Sequence, residues 1–477
     1  ADKVVSEMRL TLENLNGTPL VLFNRFTSMP YDFEILKDSK LQTLAGRLNL
    51  ALASMVSSNQ VVVDIEKIIA GTGLDQSIDN RQFQISRSLY TKDFYFNYAK
   101  QVKPAFMASV GYVKKVLVLD CDNTLWGGVL GEEGQNNIEM SDLSVKGKAF
   151  QEAQNLILSF QRKGILLALC SKNNAEDVDS VLRDHPDMVL RDEHFVAKKV
   201  NWTDKATNLV DMSKELNLGL ESFVFVDDSE FEIGLIQRTL PQVLSLLVPT
   251  DVSSYPSMIR RLEKEFFTLS ETREDLNKTE MYKKEQSRNE SSKYFDSIED
   301  YLGSLDLSLT IDFNEQVCVA RAAQLTQKTN QFNLRTIRYS EAEIRRFASN
   351  EHFLVSSFSL SDKFGDYGIT GLAIIKLEKN IAFFDTFLMS CRVIGRNVEY
   401  KFFSQIVDKL KQMKPEIVNL HAEWISTAKN QQVSELYEGL GFHCLIGTTN
   451  SKSYELPLDE YITQDSDIIS ISNQKVI

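Results

Sequence analysis

Three short apolar runs, each ending in residues that carry chemistry, constrain this chain more than anything else in it: VLVLD at 116–120, LLALCS at 166–171 and FVFVDD at 223–228. Runs this apolar offer water no polar face, so each strand must be covered on both sides. That requirement points to a parallel sheet with helices on both faces. Helical periodicity fills the intervals, at Lys146 to Arg162, Ala175 to Asp184 and Asp204 to Leu216, and a further strand LSLLVP follows. The predicted fold class is α/β, with a doubly wound parallel-sheet domain over residues 111–255.

Residues 1–110 alternate apolar strands, PLVLFNRF and NQVVVDIEKII, with a helical stretch from Gln42 to Met55, which reads as a small N-terminal α/β unit. From 256 to 302 the chain is charged and poor in Gly and Pro, the composition of a helical connector that could also cap a site in the preceding domain. Strands and helices mix from 303 to 457 in a C-terminal α+β unit, and residues 458–477 read as a tail.

With 43% hydrophobic and 25% charged residues among 477, the chain can bury several cores. A net charge of −13 argues against nucleic acid and against an anionic membrane surface as partners, so an anionic substrate needs locally placed cations or a metal. The five cysteines form no CxxC pair, and no apolar stretch resembles a signal or a membrane span. A reducing cytoplasm is the expected location. The chain opens on Ala1 rather than Met, as a piece excised from a longer polypeptide would.

In parallel sheets, functional groups collect at the carboxyl ends of strands. Asp120 and Asp122 follow the first run, Ser171 ends the second, Asp227 and Asp228 end the third, and Lys205 opens the helix after VNWT. Phosphoryl transfer needs an oxygen nucleophile, a divalent cation, groups that hold the phosphoryl oxygens, and an acid/base for the leaving oxygen. This set supplies them. Asp120 is the expected nucleophile and Asp122 the acid/base. Ser171, Lys172, Thr124 and Lys205 are the expected phosphoryl holders. Asp120, the backbone carbonyl of Asp122, Asp227 and Asp228 are the expected ligands of Mg²⁺. An Asx-rich turn or a helix cap explains any one of these motifs alone, but not all of them in order within one domain.

The order D-x-D-x-T, Ser, Lys and DD resembles the haloacid-dehalogenase superfamily. More narrowly, DCDNTLWGGVLGEEG, CSKNN, VNWTDKATN and FVDDSEFE resemble the FkbH-like glyceryltransferase/phosphatase proteins of polyketide biosynthesis, a resemblance running from about Val61 to Leu456. It implies that 1,3-bisphosphoglycerate is the substrate, that a three-carbon glyceryl unit passes to the pantetheine thiol of an acyl carrier protein, and that the other phosphate is removed. A glyceryl and a lactyl product begin from the same acid and stay open. Cys121 is the acyl-carrying thiol the resemblance favours. Against it, an extended strand turns Cys121 away from Asp120 and Asp122, and flanking carboxylates raise a thiol's pKa. Cys391 is the rival, and direct transfer to the carrier without an enzyme cysteine is the third route.

Between strand and helix, FLMSCRVIGRNVEY places Arg392, Gly395, Arg396 and Asn397 where backbone N–H groups can hold a phosphate of the pantetheine arm. NQQVSELYEGLGFH, with Tyr437 and Gly441-Phe442, resembles the second half of a GNAT N-acetyltransferase, although Asn397 stands where that family has a small residue. The polar run from Gln324 to Thr336 and the loop Lys363 to Gly368 are candidates to line a groove for the same arm. A plain Mg²⁺-dependent phosphatase, with a C-terminal domain that takes no part, and a docking scaffold are the rival readings.

Overall fold

The computed structural model describes residues 1–472 apart from 16, 17, 19, 33–36, 38, 58, 270–276, 293, 296 and 464–467. The N-terminal unit carries two parallel strands, β1 (Val21–Asn24) and β2 (Gln60–Val63), paired Val21 to Gln60. The expected long strand NQVVVDIEKII stops at Val63. Asp64 accepts a hydrogen bond from the Lys67 N–H and starts helix Ile65–Thr72 instead. Helix Lys92–Ser109 then leads into the second domain.

In that domain the described strands β3 (Val116–Leu119), β4 (Leu166–Ser171), β5 (Phe195–Val200), β6 (Phe223–Asp227) and β7 (Leu244–Leu247) lie in the order β5-β4-β3-β6-β7. All neighbours pair in parallel. Alternation along β3 divides its side chains between two cores: Leu117 and Leu119 pack on one face with Phe150 and Ile157, Val116 and Val118 on the other with Leu209 and Met212. The chain winds outward from β3 through β4 to β5, then returns to β6 on the other flank. The order therefore switches between β3 and β6, where crevices open at the carboxyl ends.

The C-terminal domain is built on a largely antiparallel sheet: β8 (Leu307–Phe313), β9 (Phe332–Asn333), β10 (Phe353–Asp362), β11 (Gly365–Glu378), β12 (Ile381–Met389), β13 (Asn419–Ile425), β14 (His443–Gly447), β15 (Ser451–Pro457) and β16 (Ile469–Ile471). β12 and β13 pair in parallel only from Ile381 to Phe384; farther along, Phe332–Leu334 lies between them. Helix Val398–Met413 covers one face with Phe402, Phe403 and Ile406. The tail expected at 458–477 is not wholly a tail, because Ile469–Ile471 pairs with β8 as an edge strand, while 464–467 and 473–477 lie outside the described residues.

The connector is helical at Tyr255–Arg261, Lys278–Ser292 and Ile298–Gly303, with 270–276 outside the described residues. Tyr282 packs into the second domain's core and Arg288 clamps Asp362 of β10. The C-terminal domain docks at the amino ends of the second domain's strands: Asn217 Nδ2 donates to the Cys391 carbonyl at 3.2 Å and Lys429 pairs with Glu221. No helix among the described residues is long and apolar enough to cross a membrane.

Candidate functional site

Asp120 follows β3 with its N–H bonded to the Val226 carbonyl of β6, so the nucleophile candidate is held at the switch point by sheet pairing itself. Ser171 ends β4, buried beside Asp120, and its hydroxyl favours the charged form of that carboxylate. Lys205, the first residue of helix Lys205–Glu215, is buried and sends its ammonium between two carboxylates, 2.5 Å from Asp227 Oδ2 and 3.0 Å from Asp120 Oδ1. Burial opposes the charge on Lys205, but Asp120 and Asp227 outweigh it and hold its pKa above the usual value. Burial drives the Asp120 pKa up, Lys205 pulls it back and Asp227 adds to the rise.

The carboxylate oxygens of Asp120, Asp227 and Asp228 lie within 4.8 Å of one another, with Asp228 exposed at the open side. Burial and the neighbouring Asp227 raise the Asp228 pKa. The Asp120 Oδ1 atom is buried and has no aligned hydrogen bond, because Lys205 meets it as an ion contact. Three converging carboxylates with an unsatisfied oxygen suit a hard divalent cation, which takes oxygen ligands and relieves like-charge repulsion.

Asp122 stands apart from that cluster. Its Oδ1 accepts from the Trp126 indole N–H at 2.9 Å and the Leu130 N–H at 3.0 Å, and its Oδ2 from Asn173 Nδ2 at 2.8 Å. Three donors fix its orientation beside Asp120; the metal ligand expected from this residue is its backbone carbonyl, which these bonds leave untouched. The turn that brings Asp122 round uses Asn123 at φ 50°, whose Oδ1 accepts from the Gly128 N–H at 3.0 Å. Asn tolerates this left-handed conformation better than other side chains.

Several expectations need correction. Lys172 does not wait for a phosphate: its ammonium is 2.7 Å from Glu232 Oε1, drawn across to helix Glu230–Thr239. Cys121 is fully buried in the apolar layer with Leu125 and Trp126, and burial pushes its thiol well above the usual pKa, with Asp120 adding to the rise. It is not accessible as an acyl carrier must be. Thr124 is buried with an unbonded hydroxyl beside the site. Sequence reasoning missed Asn173, Glu232 and Tyr255, whose buried hydroxyl is unbonded and feels the Asp120 charge. Asn173 and Glu232 lie within CSKNN and FVDDSEFE, but nothing local marks their partners.

The loop expected to hold a pantetheine phosphate is partly committed elsewhere. Arg396 is buried, donating to Glu285 Oε1 and the Arg392 carbonyl at 2.7 Å each and to Tyr367 Oη at 3.1 Å. Gly395 and Asn397 are exposed at φ 83° and 58°, while Arg392 faces the Met281 sulfur at 3.0 Å. The space between β12 and β13 is filled: the Leu334 N–H donates to the Phe387 carbonyl at 3.3 Å and the Leu334 carbonyl accepts from the Ile425 N–H at 2.8 Å. Of the run from Gln324 to Thr336, Phe332 and Asn333 thus form β9, and Thr329, Asn330 and Gln331 line a cavity at the domain junction. In the Lys363 to Gly368 loop, Tyr367 is buried under Arg288 rather than lining a groove.

No protein-family model and no curated protein matches the chain. Among solved structures it is similar to the N-terminal part of protein BF1531 from Bacteroides fragilis, which contains a phosphatase domain and is complexed with Mg. That likeness has 27% identity, covers 56% of this chain and 72% of that one, and has a TM-score of 0.49. It is also similar to the ribosomal-protein-S18-alanine N-acetyltransferase of Escherichia coli, at 19% identity over 31% of this chain and 94% of that one, TM-score 0.25. The spermidine/spermine N-acetyltransferase SpeG of Vibrio cholerae gives 14% over 33% and 96%, TM-score 0.24. Strand order and side-chain geometry define the class: an α/β protein with a doubly wound parallel-sheet domain that carries converging carboxylates at its strand ends, and a C-terminal α+β domain.

Proposed function

We propose that the second domain is a Mg²⁺-dependent phosphohydrolase that works through an aspartyl-phosphate on Asp120. The observation that carries this reading is the convergence of Asp120, Asp227 and Asp228 on one point with Lys205 between them. Mg²⁺ held by Asp120, Asp227 and Asp228 would neutralise the phosphoryl oxygens and the carboxylate repulsion. A carboxylate oxygen of Asp120 attacks phosphorus, and the ester oxygen leaves with a proton from Asp122. Asp122 then takes a proton from water, which attacks the aspartyl-phosphate and frees inorganic phosphate. Ser171 and Lys205 hold the phosphoryl oxygens, while Asn173 and Trp126 keep Asp122 aimed.

The finer reading is that the phosphate comes from 1,3-bisphosphoglycerate and that the glyceryl unit passes to an acyl carrier protein. It rests on the sequence resemblance. The burial of Cys121 favours its direct route, in which the carrier's pantetheine thiolate displaces the 1-phosphate without an enzyme thioester.

Incubation of the chain with Mg²⁺, 1,3-bisphosphoglycerate and a pantetheine-bearing carrier, followed by intact-protein mass spectrometry and a phosphate assay, tests both levels. Phosphate release that stops in Asp120→Asn supports the hydrolase. Glycerylation of the carrier that survives Cys121→Ala supports direct transfer. Phosphate release with no mass gained by the carrier rejects glyceryl transfer and leaves the plain phosphatase. Unchanged release by Asp120→Asn rejects the site.

A further inference from the structure

At the junction of helix Lys92–Ser109, the amino ends of β3 and β6, and the C-terminal domain lies a cavity of about 440 Å³. Its lining includes ten Lys or Arg residues and two Glu, in a chain whose net charge is −13. Such a concentration of one sign is self-repelling unless anions balance it. Part of the charge is already engaged, since Arg321 donates to the Ile369 carbonyl and Lys264 to Gln101 Oε1. Glu221 is paired with Lys429, and the Glu265 side chain is exposed. Lys114 is spent on the backbone carbonyls of Glu221 and Gln242, at 2.8 and 3.3 Å. The ammonium of Lys115, half-buried where it enters β3, has no hydrogen-bond partner among the described residues; Lys429 and Arg338 face it with like charge and Glu221 with the opposite one. Lys103 adds an exposed ammonium at the rim. One wall is apolar, formed by Met107, Val113 and Leu218, with the Tyr112 ring beneath the Lys429 ammonium at 5.5 Å.

We propose that this cavity is a second binding site, for a phosphate-bearing molecule of nucleotide size, distinct from the Asp120 site. The volume is that of a small-molecule site, which spans roughly 300–1,000 Å³, and a cationic wall facing an apolar one suits a ligand with an anionic end and a ring or apolar portion. The two sites sit at opposite ends of β3. Lys115 and Asp120 are five residues apart, about 16 Å at ~3.3 Å per residue, with the sheet between them. A three-carbon bisphosphate cannot span that distance, so a molecule held here is not the one being hydrolysed at Asp120. The same separation removes Cys391, which lines this cavity, from any relay with a substrate bound at Asp120. A free nucleotide and the nucleotide end of coenzyme A share the required chemistry.

The test is calorimetric titration of the full chain in chelator, which keeps cations from recruiting phosphates to the carboxylates, using ADP, coenzyme A and inorganic pyrophosphate as probes. ADP or coenzyme A is expected to bind, and Lys115→Met and Lys103→Glu are each expected to weaken binding roughly ten-fold, the loss of one charge-assisted contact. Mg²⁺-dependent phosphatase activity of both variants should stay at the wild-type level. Lys103 is exposed, so its variant tests the site even if Lys115→Met folds poorly. Equal binding of ADP and coenzyme A supports a free nucleotide, and preference for coenzyme A supports the pantetheine-bearing source. The proposal is overturned if neither binds, if pyrophosphate binds as tightly as ADP, or if binding survives both variants and disappears in Asp120→Asn.

Discussion

Asp122 shows how much of this site depends on neighbours that carry no chemistry themselves. Its Oδ1 accepts from Trp126 and the Leu130 N–H and its Oδ2 from Asn173, so its aim is set by donors rather than by the strand, with room left on Oδ2 for a proton. Asn173→Ala should therefore slow phosphate release roughly ten-fold, the worth of one hydrogen bond to a charged group, while leaving the melting temperature nearly unchanged. Steady-state kinetics and a thermal melt on the same preparation would check this, and an unaltered kcat would remove Asn173 from the machinery. The cysteines make a second residue-scale prediction. Cys318 and Cys444 are exposed, Cys391 is half-buried, and Cys121 and Cys170 are buried with thiols pushed above their usual pKa by burial. Iodoacetamide on the native protein should label Cys318 and Cys444 first and spare Cys121 and Cys170 until denaturant is added, as peptide mapping would show.

Among the elements, helix Lys278–Ser292 joins the two larger domains through side chains on opposite ends. Tyr282 enters the core beside β3, while Arg288 forms a bidentate pair with Asp362 at 2.6 and 2.9 Å and lies 3.9 Å from the Tyr367 ring centroid. Burial alone would raise the Asp362 pKa, but Arg288 and Tyr367 outweigh it and hold it below the usual carboxylate value. A depressed folded-state pKa gives stability that is present above the unfolded value, near 3.9, and is lost as pH falls through the folded one. Asp362→Asn, which leaves Arg288 buried without its partner, should cost about 3 kcal/mol at pH 7. That gap from wild type should narrow below about pH 4 in denaturant titrations. A gap independent of pH would mean that the carboxylate charge contributes nothing there.

For the whole molecule, the docking of the C-terminal domain at the amino ends of the strands leaves the carboxyl ends, with Asp120, Asp227 and Asp228, on another side. Binding of a cation there should stabilise the folded chain by mass action alone. Mg²⁺ added to chelated protein should raise the melting temperature of wild type and fail to do so in Asp227→Asn, and an equal rise in both would place the cation elsewhere. Sequence by itself determined which residues stand at strand ends. Asp120, Ser171 and Asp227 follow uninterrupted apolar runs, and an apolar run buried on both faces has few places to put a polar group except its end. Tertiary structure alone decided what those groups meet. Lys172 turned to Glu232, Arg396 to Glu285, and Leu334 settled between β12 and β13, each through a partner far away in the chain. Hydrophobic pattern and the place where an apolar run stops are properties of neighbours in sequence, whereas the pairing of a buried charge is settled by whichever opposite group packing brings within reach.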